Sequence, residues 1–78
     1  MSELIDTNVK SIIAQVLFVE ETSITSDSGL GNPQEWDSFA QISIMLEIER
    51  KFERRFTPEE IADYTNVEKI LKLLKSSH

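Results

Sequence analysis

The sequence predicts an all-α fold: a four-helix bundle of three main helices plus one short helix, with a long loop between helices one and two. Three observations predict it. Apolar residues recur at helical spacing over three stretches, two helix-start signals follow each other closely in the second half, and both glycines fall in one polar segment. No segment alternates like a strand, and there are no internal repeats. Residues 1–78 are read as a single domain, since a chain this short has no room for a second core.

The first helix is expected from about residue 3 to about residue 18, carried by Leu4, Ile5, Val9, Ile12, Ile13, Val16 and Leu17. Glu20 to Trp36 follows as loop, holding Gly29, Gly31 and Pro33 among Thr, Ser, Asp and Asn. Loops longer than about 12–15 residues in compact domains are usually functional. The second helix starts at Asp37–Ser38 and carries Phe39, Ile42, Met45, Leu46, Ile48 and Phe52, a face wide enough to meet other helices on two sides. Thr57-Pro58-Glu59-Glu60 marks the next start, with Thr57 as cap, proline at the first helical position and glutamate three residues after the cap. This helix ends near Tyr64, because Thr65-Asn66-Val67-Glu68 reads as another capping box. The last helix carries Val67, Ile70, Leu71, Leu73 and Leu74, and Lys69, Lys72 and Lys75 are expected toward its C-terminus, where they suit the helix dipole.

Composition excludes several function classes. Fourteen acids against 8 bases give a net charge of −6, the wrong sign for a phosphate-binding surface, so no nucleic-acid partner is expected. The chain lacks cysteine, which leaves no disulfide framework, thiolate metal site or cysteine nucleophile. The N-terminus has no signal-peptide pattern, and no apolar run approaches the roughly 18 residues of a membrane span. A cytoplasmic monomer is the expectation. The single histidine, His78, ends the chain with no acid or nucleophile placed around it, and no carboxylate pair or glycine-rich phosphate cradle is present. A calcium loop starting at Asp27 would put Gly29 and Gly31 at ligand positions and Ser38 where a bidentate Glu belongs, so no metal site is expected. Nothing in the residues points to an enzyme.

What remains is Ser38, which directly follows Asp37 where the glycine-containing loop runs into a helix. The plain reading is that Asp37 or Ser38 caps the helix, with Ser38 and Gln41 forming an acceptable capping box. The functional reading is that a phosphate ester on Ser38 would lie against the free N–H groups and positive dipole end of helix two.

The stretch Trp36-Asp37-Ser38-Phe39-Ala40-Gln41-Ile42 resembles the Asp-Ser-Leu signature of acyl and peptidyl carrier proteins. Ile48-Glu49-Arg50-Lys51-Phe52, Phe56-Thr57-Pro58-Glu59-Glu60-Ile61 and Thr65-Asn66-Val67-Glu68-Lys69-Ile70 fall at that family's usual distances from the serine, so the resemblance spans about residues 4 to 74. It implies that Ser38 receives 4′-phosphopantetheine from coenzyme A and that Asp37 caps helix two and helps present the serine. It also implies a non-catalytic shuttle that holds acyl groups as thioesters on the arm. The implied partners are a phosphopantetheinyl transferase and acyl-loading and acyl-transfer enzymes. By the family pattern Phe39, Ala40, Ile42, Ser43, Leu46, Glu49, Arg50 and Phe56 face partners.

Some positions depart from the fatty-acid type. Phe39 stands where Leu is common, Trp36 where a small or aliphatic residue is frequent, and Ala40 and Ser43 where acids are typical. The expected role is therefore in polyketide, modified fatty-acid or related specialised biosynthesis. The alternatives are an aminoacyl or peptidyl carrier, or a helical interaction module without a prosthetic group. Charge is uneven: residues 1–37 hold seven acids against Lys10, net −6, residues 38–56 are +1 and residues 57–78 are −1. A basic partner would find its attraction in helix one and the loop, with Phe39 as an apolar anchor.

Overall fold

The structure is a computed structural model that describes residues 2–76; His78 lies outside the described residues. The four expected helices are α1 (Ser2–Leu17), α2 (Ser38–Phe52), α3 (Pro58–Asp63) and α4 (Val67–Ser76). The loop contains a feature the sequence did not announce, a 3-10 turn at Glu21–Ser23. Extended pairing among the described residues is confined to two isolated bridges, Gly29–Asn32 and Gly29–Asn66.

The apolar periodicity of each helix closes one core. Val9, Ile13, Ala14 and Leu17 of α1 meet Ala40, Ile44, Met45 and Ile48 of α2 and Val67, Ile70 and Leu74 of α4, with Ile24 and Trp36 added from the loop. The packing direction follows from which residues share grooves. Asn8 and Ser11 lie beside Arg50 and Lys51, whereas Val16 lies beside Glu47, so α1 and α2 are antiparallel. The Lys75 Nζ–Asp6 Oδ1 ion pair at 3.1 Å joins the end of α4 to the start of α1, so α4 also runs opposite to α1. The C-terminal end of α1, the start of α2 and the start of α4 therefore share one end of the bundle.

Helix ends are made without glycine. Phe18, at φ 59°, is the left-handed residue that closes α1, with Val19 N–H donating to Ala14 O at 3.1 Å. Glu53, at φ 54°, closes α2, with Arg54 N–H donating to Glu49 O at 3.0 Å. Both are the six-to-one turn that usually places glycine or asparagine at the left-handed position. The start of α4 corrects the sequence reading. Its cap is Asn66, whose Oδ1 accepts from Lys69 N–H at 2.7 Å, not Thr65, whose carbonyl instead accepts from Leu30 N–H at 2.8 Å. Lys69 accordingly sits in the first turn of α4, and Lys75 is the basic residue of its last turn.

The loop is pinned to α4 by Val67 N–H donating to Ser28 O at 3.0 Å and by the close approach of Gly29 to Asn66. A Cβ on Gly29 would stand 2.7 Å from Asn66 Cβ and 2.8 Å from Thr65 O, inside contact distance of groups fixed by the helix start. Gly29→Ala is expected to destabilise the fold by about 1–3 kcal/mol. Urea unfolding followed by circular dichroism measures this, and an unchanged midpoint would contradict the close approach.

Candidate functional site

The loop-to-helix junction is built by hydrogen bonds of residues 31 to 41. Asp37 is extended, at φ −106° and ψ −175°, and its Oδ1 accepts from Ala40 N–H at 2.8 Å, which makes it the cap of α2. Ser38 is then the first helical residue, and its side chain is exposed. Of the two capping candidates in the sequence, Asp37 is the one used. The Gln41 N–H donates to Asp37 O at 2.8 Å and Ala40 N–H is taken by the Asp37 carboxylate, so the amides of Ser38 and Phe39 are the first-turn donors without a helical partner.

Gln41 does not form the capping box with Ser38. It is buried, and its Oε1 accepts from Trp36 Nε1 at 2.7 Å. Its Nε2 donates to Ile61 O at 2.9 Å and to Tyr64 O at 2.7 Å. One amide thus ties the loop, α2 and α3 together. Trp36 is fully buried, its N–H donates to Pro33 O at 2.9 Å, and its carbonyl accepts from Gly31 N–H at 2.8 Å. Sequence reasoning missed this arrangement. The available signal was that position 41 shares the helical face of Ile44, Met45 and Ile48, a face with no other polar residue.

The residues expected to face partners divide. Phe39 is 81% exposed, Ile42 and Leu46 are about half exposed, and Arg50 is exposed, with Nη1 3.4 Å from Glu47 Oε2. Ser43 is half-buried. Ala40 and Phe56, also expected to face partners, are only 8% and 9% exposed, and Phe56 joins the wall of the groove beside Ser38. Ala40 belongs to the side of α2 that packs on the bundle. Phe56 is held by its own N–H donating to Glu49 Oε2 at 2.7 Å, which engages one oxygen of the Glu49 carboxylate. Beside Ser38 opens a groove of about 490 Å³ lined by Leu30, Ile42, Phe56, Pro58, Ile61 and Ala62, an apolar wall between α2 and α3. Glu20, Glu21, Asp27, Glu35 and Asp37 are all exposed, and residues 18–37 contain no Lys or Arg.

Residues 8–74 match the family described as phosphopantetheine attachment site. The chain belongs to the acyl carrier protein family. It is 32% identical over 71 residues to an acyl carrier protein of Buchnera aphidicola subsp. Baizongia pistaciae, covering 91% of each chain. It is 28% identical over 75 residues to an acyl carrier protein of Coprothermobacter proteolyticus, covering 96% of this chain and 92% of that one. Membership makes the chain a carrier and not a catalyst, and its prosthetic group is covalently attached 4′-phosphopantetheine. The residues at the start of α2 fit such a group. They offer an exposed hydroxyl, two free amides and the positive end of a helix dipole to a phosphodiester. An apolar groove opens beside them. No helix among the described residues is long and apolar enough to cross a membrane.

Because Asp37 makes the cap, Asp37→Ala should lower stability by about 1 kcal/mol, whereas Ser38→Ala should stay within about 0.5 kcal/mol of the parent. Paired thermal melts test the contrast, and a larger loss at Ser38 would assign it a structural role. Gln41→Leu strands the Trp36 indole N–H and two carbonyls, and a loss of roughly 2–4 kcal/mol is expected. Tryptophan fluorescence during urea unfolding reports it directly.

Proposed function

We propose that Ser38 is the attachment point of the arm and that the chain carries acyl groups for polyketide, modified fatty-acid or related specialised biosynthesis. The observation that carries this reading is the pairing of an exposed serine hydroxyl at the first position of α2 with a groove of about 490 Å³ beside it. When attached, the arm supplies a terminal thiol to which cargo is linked. The protein's own residues have other tasks. Asp37 fixes the helix start so that the hydroxyl projects at its rim, and the amides of Ser38 and Phe39 offer donors to the ester phosphate. The Trp36–Gln41 bond keeps the junction in place. No general base is required of this chain, because the enzymes it visits supply the chemistry.

The groove walls favour an acyl cargo over a charged aminoacyl one, since its lining is almost wholly aliphatic and aromatic and Gln41 already has partners for its amide. The specialised role is supported by the first turn of α2, which has no acidic residue, and by Phe39 after the serine.

Incubation with coenzyme A and a promiscuous phosphopantetheinyl transferase, followed by intact mass and peptide mapping, tests the attachment. One group is expected, on Ser38 alone, and none on Ser38→Ala. Ser28 is buried with its Oγ accepting from Thr25 N–H at 2.9 Å, and Ser43 is half-buried. Modification at either position, or none at all, would overturn the assignment.

A further inference from the structure

Two aromatic rings stand out from the surface with no role in the core. Phe18 is 93% exposed and Phe39 is 81% exposed. Phe18 closes α1 and Phe39 opens α2, and the antiparallel packing puts both at the end of the bundle that bears Ser38. Phe18 also occupies a left-handed position, φ 59°, where glycine or asparagine would close the helix with less strain. Folding therefore gains nothing from a phenyl ring at this place.

Charge follows the same division. Residues 18–37, which join the end of α1 to the start of α2, carry Glu20, Glu21, Asp27, Glu35 and Asp37, all exposed, with no base among them, and Lys69 in the first turn of α4 is the base nearest that end. The opposite end carries Arg50 and Lys51 in the last turn of α2 and Arg54 and Arg55 just beyond it, with Glu53 between them. Any enzyme that reaches Ser38 must cover its surroundings. A footprint of about 800 Å² per partner spans much of one end of a molecule measuring 31 × 27 × 19 Å.

We propose that the whole serine-bearing end, with Phe18 and Phe39 as paired anchors, is the docking face for enzymes that act at Ser38. It fits a partner surface made of apolar recesses rimmed by Lys and Arg. The proposal rests on Ser38 as the attachment point. Docking is end-on, over the end of α1 and the acidic loop, and α2 contributes its first turns more than its length. Buried aromatic anchors set the off-rate, while the surrounding carboxylates set a salt-dependent on-rate.

Phe18 is the informative position, because it lies outside the junction that presents the serine. The test is the steady-state rate of phosphopantetheine transfer to the full chain by a phosphopantetheinyl transferase. Phe18→Gly and Phe18→Asn suit the left-handed backbone, so melts should be unchanged or raised. The expected result is a KM higher by about fivefold or more, the equivalent of losing an anchor worth about 1 kcal/mol, with kcat unchanged. The double reversal Glu20→Lys and Glu21→Lys should raise KM at about 0.1 M salt and lose most of that effect near 1 M. Lys51→Glu at the far end should not raise it. A parental KM in both Phe18 variants overturns the proposal while leaving attachment at Ser38 intact. A concentration-dependent dimer that Phe18→Gly dissolves, seen by sedimentation, would make a second copy of the chain the occupant and also overturns it. Absence of transfer to the unaltered chain removes the attachment reading, and this proposal with it.

Discussion

The arrangement of the site depends on the buried side-chain amide of Gln41. It accepts from the Trp36 indole and donates to the carbonyls of Ile61 and Tyr64, so the loop, α2 and the distant end of α3 meet at one group. Burial raises the stakes of these bonds, because an unpaired amide in an apolar core would cost about 1–3 kcal/mol. Each bond therefore restrains a different element. The indole restrains the loop immediately before Asp37, and the two carbonyls restrain the end of α3. The backbone of Gln41 donates to Asp37 O, so the residue that anchors the core also closes the first turn behind Ser38. The exposed rim that bears the Ser38 hydroxyl is thereby held from below by the core.

A protein with so little chemistry of its own divides its surface between tasks. The interior face of α2 is used up by packing, with Ile44, Met45 and Ile48 fully buried. Its outer face carries Phe39, Ile42 and Leu46. Its flank joins Phe56, Pro58 and Ile61 in the groove beside Ser38. A single helix of 15 residues thus contributes to the core, the groove and the exposed rim. That division is possible because α3, only six residues long, meets α2 at Gln41 and leaves the groove open beside that contact. A longer α3 packed along α2 would fill the groove.

The helices were legible in the sequence because helical burial imposes a period that survives in the residues themselves. The Thr57–Glu60 capping box was equally legible and is fully formed, with both reciprocal bonds present. The neighbouring box at Thr65 was not, since Thr and Asn are both competent caps and only the tertiary bond from Leu30 to the Thr65 carbonyl decides between them. Helix ends were harder still. Phe18 and Glu53 take left-handed positions that sequence assigns to glycine, so no local signal marked them. The Asp37–Ser38 junction could be read as a site, but its support could not. Gln41 looked like a partner for Ser38 from three residues away, and only the approach of α3 shows where its amide goes. Ala40 and Phe56 were assigned to the partner side by family pattern, while the packing of this chain leaves them 8% and 9% exposed.

The loop is longer than its endpoints require. The end of α1 and the start of α2 lie at the same end of the bundle, and antiparallel helices are routinely joined by about 2–5 residues. Here twenty residues separate Leu17 from Ser38. Extra length adds only slowly to the entropy of closure, about 0.6 kcal/mol per doubling, so a long connection is tolerated if its contacts offset that modest term. This one inserts Ile24 and Trp36 into the core, meets α4 through Ser28 and Gly29, and arrives at Asp37 from a fixed direction. It also carries five exposed carboxylates and no Lys or Arg. A short hairpin could join the two helices, but it could not cover the open end of the core, hold the entry to α2 and carry those carboxylates at once. Those three requirements account for its length.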